Sequence, residues 1–216
     1  MNRAPIFLSA GVPDKDPHKY SVEPIAVREA VRALVGAMLP ARPLVFGGHP
    51  AISPMVWEDA DSLGLARDVF IYQSRLFATK VPKEAHFFQG LDRLVWTPAV
   101  PLDRPGRDAS LALMRDAMIV RRVLDESKVL DPSAPPDFPE YSAGVFIGGM
   151  QGIEDEWRLF RASYPNAPAL LVASTGGAAR LLIDDAGSAQ IYPPAARRLL
   201  ERDRRYRFVF RSLLPP

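Results

Sequence analysis

Apolar residues along the chain alternate between two arrangements, short unbroken runs and stretches that recur every three or four positions. Residues 5–9 (PIFLS) form a run closed by AGVPD, which predicts a buried strand and a turn. From Pro24 to Leu39 the apolar positions Ile25, Val27, Ala30, Val31, Leu34, Val35 and Met38 recur at helical spacing, and Pro40 ends the helix. Leu44–Phe46 predicts a second strand running into Gly47-Gly48-His49-Pro50, with a helix from about Pro50 to Leu65. Val69–Gln73 (VFIYQ) and Leu94–Thr97 predict two more strands, separated by a loop with short helical pieces, exposed aromatics and lysines over 74–90. Ser110–Leu124 has helical spacing, with Asp108 or Ser110 as its cap. Gly144–Ile147 predicts a buried strand running into Gly148-Gly149, and a helix follows from about Ile153 to Ser163. Ala169–Ala173 predicts a strand running into Ser174-Thr175-Gly176-Gly177, with a helix from Ala178 to about Asp184. The tail reads as helical over Pro194–Tyr206, and Phe208–Leu214 fits a last strand or helix.

Repeated apolar strands joined by crossover helices call for a mainly parallel sheet covered on both faces. The fold class expected is therefore α/β, a Rossmann-like three-layer α/β/α sandwich. Asp131–Glu140 (DPSAPPDFPE) holds four prolines in ten residues and cannot sustain a helix or a central strand, which makes it a surface loop or a flap. The same alternation continues on both sides of it, so residues 1–216 read as a single domain. Trp57, Tyr72, Trp96 and Trp157 are expected in the core.

Composition narrows the function. Hydrophobic residues make up 48% and charged residues 24%, the mixture of an ordinary globular domain. The net charge of +2 comes from 27 basic against 25 acidic residues, so no sequence-specific nucleic-acid partner is implied. The run Arg197, Arg198, Arg202, Arg204, Arg205, Arg207 and Arg211, diluted by Glu201 and Asp203, reads as a solvated helix face. With no cysteine and three well-separated histidines (His18, His49, His86), neither a disulfide nor a metal site is expected. The apolar stretch near the N-terminus is too short for a signal h-region, and no run approaches the roughly 20 apolar residues of a membrane span. A cytoplasmic location is the expectation.

The chemistry lies in the turns. In an open parallel sheet, ligands collect beyond the carboxyl ends of the strands, where helix N-termini present unpaired N–H groups and about half a positive charge. Gly47-Gly48, Gly148-Gly149 and Gly176-Gly177 all fall at predicted strand ends, and together they point to one crevice for an anion such as phosphate. Ser9, His49, Ser174 and Thr175 are candidate ligand contacts beside them, each equally explicable as a turn or cap residue, and Met150 and Gly152 are candidates with them. Glu156, early in a helix, can accept from ribose hydroxyls or stabilise a ribosyl cation, although the helix dipole alone also favours an acid there. Arg115 can hold a phosphate or simply pair with a surface acid. There is no G-x-S-x-G elbow and no P-loop lysine.

The segment Gly148-Gly149-Met150-Gln151-Gly152-Ile153-Glu154-Asp155-Glu156 resembles the Pro-Gly-Gly-x-Gly-Thr-x-x-Glu signature of the lysine-decarboxylase-like, or LOG, proteins, which are nucleoside monophosphate phosphoribohydrolases. One extra residue separates the glycine pair from Gly152, and Ile153 stands where those proteins have threonine. Met114-Arg115-Asp116-Ala117-Met118 is similar to their arginine-bearing helix. Together with Phe46-Gly47-Gly48-His49-Pro50 and Ala173-Ser174-Thr175-Gly176-Gly177, the pattern from Ile6 to about Leu182 resembles the wider SLOG superfamily, and most of all its members in bacterial conflict and antiphage systems. That resemblance implies a binding module or sensor for a nucleotide-derived small molecule: NAD-like, ADP-ribose-like or a cyclic nucleotide. Implied with it are a homo-oligomer, an effector partner and no resident cofactor. The alternative it implies is an N-glycosidase acting on a nucleoside monophosphate or an NAD-like nucleotide, with Glu156 and Arg115 catalytic.

Overall fold

The computed structural model describes residues 3–13, 18–101, 103–104, 106–185 and 191–214; Asp14, the end of the AGVPD turn, lies outside them. Six strands form the sheet: β1 (Ile6–Gly11), β2 (Leu44–Gly47), β3 (Val69–Ser74), β4 (Leu94–Thr97), β5 (Ala143–Gly148) and β6 (Ala169–Val172). Their order is β4-β3-β2-β1-β5-β6, and every pairing is parallel. Helices α1 (Pro24–Met38), α2 (Ser53–Ser62) and α3 (Lys83–Gln89) connect the strands on one side of β1. Helices α4 (Arg107–Arg115) and α5 (Glu126–Val129) lead across to β5, α6 (Gln151–Ser163) joins β5 to β6, and α7 (Gly177–Asp184), α8 (Pro194–Arg202) and α9 (Tyr206–Leu213) follow.

Right-handed crossovers place α1 and α2 on one face and α6 on the other, because the sheet grows in opposite directions from β1. The α/β sandwich expected from the hydrophobic pattern is thus the fold observed. The point where the direction reverses lies between β1 and β5, which pair over six residues from Ile6↔Ala143 to Gly11↔Gly148. The strands are buried on both faces, which is why they read as unbroken apolar runs.

Helix α6 is fixed on the sheet by aromatics. Phe160 stacks on Phe7 with ring centroids 5.6 Å apart, and Trp157 meets Phe146 edge-on at 5.1 Å. A Cβ on Gly144 would lie 2.9 Å from Phe160, so this strand position leaves the space its ring occupies.

Helix α4 departs from the expected 110–124 span. It begins at Arg107, capped by the Gly106 backbone, and Ser110 lies inside it, donating to Gly106 O at 2.7 Å. After Arg115 the winding widens into a π-helical segment, Asp116–Arg121, which ends at Arg122 in the left-handed conformation (φ 56°). Widening and termination leave carbonyls without helical partners, and buried tyrosines supply the donors. Tyr141 Oη donates to Met118 O at 2.7 Å, Tyr164 Oη to Ile119 O at 2.5 Å and Tyr72 Oη to Val123 O at 2.6 Å. Burial raises the pKa of all three, which keeps them in the protonated, donating form.

The proline-rich segment has neither helix nor strand, but it is anchored. Asp137 Oδ2 accepts from Leu124 N at 2.7 Å, Asp137 also pairs with Lys128, and Phe138 is buried against Tyr141. The tail helix breaks at Asp203, whose carboxylate takes the Arg205 N–H at 2.8 Å, and the chain resumes as α9. Several of the tail arginines are paired with acids: Arg197 with Glu201, Arg204 with Glu23 and Arg205 with Asp203. Among the described residues, no helix is long and apolar enough to cross a membrane.

Candidate functional site

The carboxyl ends of β1, β2, β3 and β5 open into one cleft of about 360 Å³, within the ~300–1,000 Å³ of small-molecule sites. Ser9 and Gly11 of β1, the turn Gly47-Gly48-His49 after β2, and Gly149, Met150 and Gly152 at the start of α6 form its floor and one wall. Arg115 and Glu156 close the near end. Five of the other candidates, Gly148, Ser174, Thr175, Gly176 and Gly177, do not line it.

Those five hold the turns together. Thr175 Oγ1 donates to Val172 O at 2.6 Å and accepts from Gly148 N at 2.9 Å, so its hydroxyl is used within the protein. Gly177 N donates to Ser21 O at 2.7 Å, and a Cβ on Gly177 would lie 2.6 Å from Gly149 O. Ser174 Oγ faces Asp203 O at 3.4 Å, on the tail side. The third glycine turn therefore supports the second, and the cleft surface is made by the other two.

At the near end the first turn of α6 carries no side-chain cap. Its orphan N–H groups and the helix dipole make that terminus suited to an anion. Three acids follow with three different roles. Glu154 is buried and accepts from Tyr20 Oη at 2.8 Å, which ties the entrance to α1 to α6. Asp155 pairs with Arg115 at 3.3 Å and Arg158 at 3.6 Å. Glu156 faces the cleft: its Oε2 accepts from Ser9 Oγ at 2.6 Å and its Oε1 meets Arg115 Nε at 3.4 Å.

Burial raises the Glu156 pKa above the usual carboxylate range; Arg115 and the Ser9 hydroxyl oppose that shift without cancelling it. Arg115 lies over Gly152, where a Cβ would come within 3.1 Å of its Nη2. Ser9, Arg115 and Glu156, three residues far apart in sequence, thus form one hydrogen-bonded group. His49 Nδ1 accepts the Ala51 N–H at 3.1 Å, which puts the proton of a neutral ring on Nε2. That edge faces Gly11, whose Cβ position is 3.6 Å away.

The cleft extends further than the glycine turns indicate. Gln73, Phe77, Lys80, Arg107, Leu111 and Met114 also line it. Gln73 Nε2 donates to Gly48 O at 2.9 Å and holds the Gly47-Gly48 turn, while Phe77 and Lys80 come from the 3₁₀ segment Arg75–Lys80. The signal for the wall was present in the i, i+4, i+8 spacing of Arg107, Leu111 and Arg115. No group of histidines and acids suited to a metal ion occurs among the described residues. Trp157 packs on Phe146 as a core residue, whereas half-buried Trp57 packs on Phe87 and Phe88 at the edge of the core; neither lines the cleft.

A family model described as the SLOG cluster3 family matches residues 18–130 and 137–214. No curated protein and no solved structure matches the chain.

Proposed function

The chain belongs to the SLOG cluster3 family, and from that premise we propose that it is a binding module for a nucleotide-derived small molecule, held in the cleft over β1, β2 and β5. The observation that carries the reading is the junction between β1 and β5, where Gly149–Gly152 and the uncapped start of α6 meet Ser9, Arg115 and Glu156. This is where an open α/β sheet offers a ligand both backbone amides and a helix terminus. A phosphate fits the amides of the first α6 turn and the Arg115 guanidinium. Ribose hydroxyls fit Glu156, which in its ionised form only accepts.

Titration calorimetry with AMP, ADP-ribose, NAD and cyclic AMP tests the proposal, with the recovered ligand checked by chromatography. Saturable heat with unchanged ligand supports a sensor of the kind that signals to an effector partner or to a second copy in a homo-oligomer. No heat for any member of the panel sinks the proposal.

The Ser9–Glu156–Arg115 group also favours a second reading, an N-glycosidase. In that reaction the C1′–N bond breaks, the base departs with the bonding electrons and gains a proton, and water adds to C1′ and loses one. A carboxylate beside the ribose would stabilise the cation between those events. Release of free adenine or nicotinamide, abolished by Glu156→Gln, would establish it.

A further inference from the structure

We propose that the far end of the cleft, formed by Phe77, Lys80 and Arg107, is a second anion subsite, so that the ligand carries two phosphate groups with one nucleoside between them. This rests on the reading that the cleft binds a nucleotide. Residues Arg107, Leu111 and Arg115 lie at i, i+4 and i+8 of α4 and all line the cleft, so the helix sets the Cα atoms of its two arginines about 12 Å apart at ~1.5 Å per residue.

The two ends differ in charge balance. At the near end Arg115 is matched by Asp155 and Glu156, and an anion there depends on the α6 amides as much as on the guanidinium. At the far end Lys80 and Arg107 present two positive charges from separate segments of the chain. Among the described residues the acid within ion-pair distance of them is Asp108, 4.0 Å from Arg107, and its side chain is 99% exposed, an arrangement too well solvated to neutralise the site. Between the ends stand Leu111 and Met114 of α4, an apolar stretch that suits a planar base and offers nothing to a charge. A ligand with a single phosphate satisfies one end and leaves the other hydrated. A nucleoside with a phosphate on each side satisfies both, with its base over the apolar middle.

Calorimetry at low ionic strength separates the cases, using AMP, adenosine 3′,5′-bisphosphate and the dinucleotide pApA on the wild type and on Lys80→Ala/Arg107→Ala. Adenosine bisphosphate and pApA are expected to bind the wild type about 10- to 100-fold more tightly than AMP. The double variant should erase that advantage while AMP affinity changes less than about twofold. Lys80→Arg should keep it. Equal wild-type affinity for all three ligands, or an equal loss for AMP and the bisphosphate in the double variant, overturns the subsite and leaves the nucleotide reading standing. Absence of binding by all three to the wild type fails both.

Discussion

Replacing Gly176 by alanine is expected to cost the fold, not merely the cleft. Gly176 has φ 79° and ψ −156°, a region that side-chain-bearing residues avoid, at a cost of about 1–3 kcal/mol. A Cβ there would lie 2.4 Å from Ser21 O and 3.1 Å from Val22 Cα. Both are backbone atoms, so the segment leading into α1 must retreat. That retreat strains the bridge between Val22 and Gly176, which consists of two bonds, from Gly177 N to Ser21 O at 2.7 Å and from Glu23 N to Thr175 O at 3.3 Å, each worth about 0.5–1.5 kcal/mol net. The sum is about 2–6 kcal/mol, a large part of the ~5–15 kcal/mol that holds a domain folded. At roughly 2–4 °C per kcal/mol for a chain of this size, the melting temperature should fall by about 5–20 °C. Far-UV circular dichroism during heating, backed by urea titration, measures it. A variant melting within about 2 °C of the wild type, but impaired in nucleotide binding, would show that Gly176 contacts ligand and that the structural account is mistaken.

Other substitutions test separate parts of the reasoning. Gly36 lies inside α1 with nothing within 4 Å of its Cβ position, so Gly36→Ala should raise stability by about 0.5–1 kcal/mol in urea titration. Gly152→Ala meets Arg115 Nη2 at 3.1 Å; its melting temperature should move by less than about 2–4 °C while ligand affinity drops at least about tenfold. Tyr164→Phe leaves Ile119 O without its donor, and should cost about 1–3 kcal/mol. Because burial raises the Glu156 pKa, the folded state holds its proton more tightly than the unfolded one. Stability relative to Glu156→Gln should therefore decline as pH rises from the ordinary carboxylate value through the raised one, then level off; a difference that grows with pH would contradict it.

The strands and most helices were legible because both faces of the sheet are covered and each crossover helix buries one stripe. Where the reading went astray, local spacing carried no information. Apolar positions continue through Met114, Ala117, Met118 and Ile119 whether the winding is α or π, so the change at Asp116 left no mark on the pattern. The Gly176-Gly177 turn looked like Gly47-Gly48 in sequence, since a glycine that lines a cleft and one that admits another backbone are the same residue. Ser9, Arg115 and Glu156 were each singled out, but their joining depends on β1 lying beside β5, a fact of topology. Lys80 and Phe77 stayed hidden inside a stretch that read as loop.

The hydroxyls of Tyr141 and Tyr164 anchor the widened turn that begins one residue after Arg115. Each residue advances a regular helix by about 100°, so where the winding loosens decides which way the last regular side chain points. Two phenols beneath the sheet hold that loosening at one place. Drift in those interior aromatics, which do not line the cleft, is therefore expected to shift the Arg115 guanidinium against Glu156 without altering any residue at the mouth.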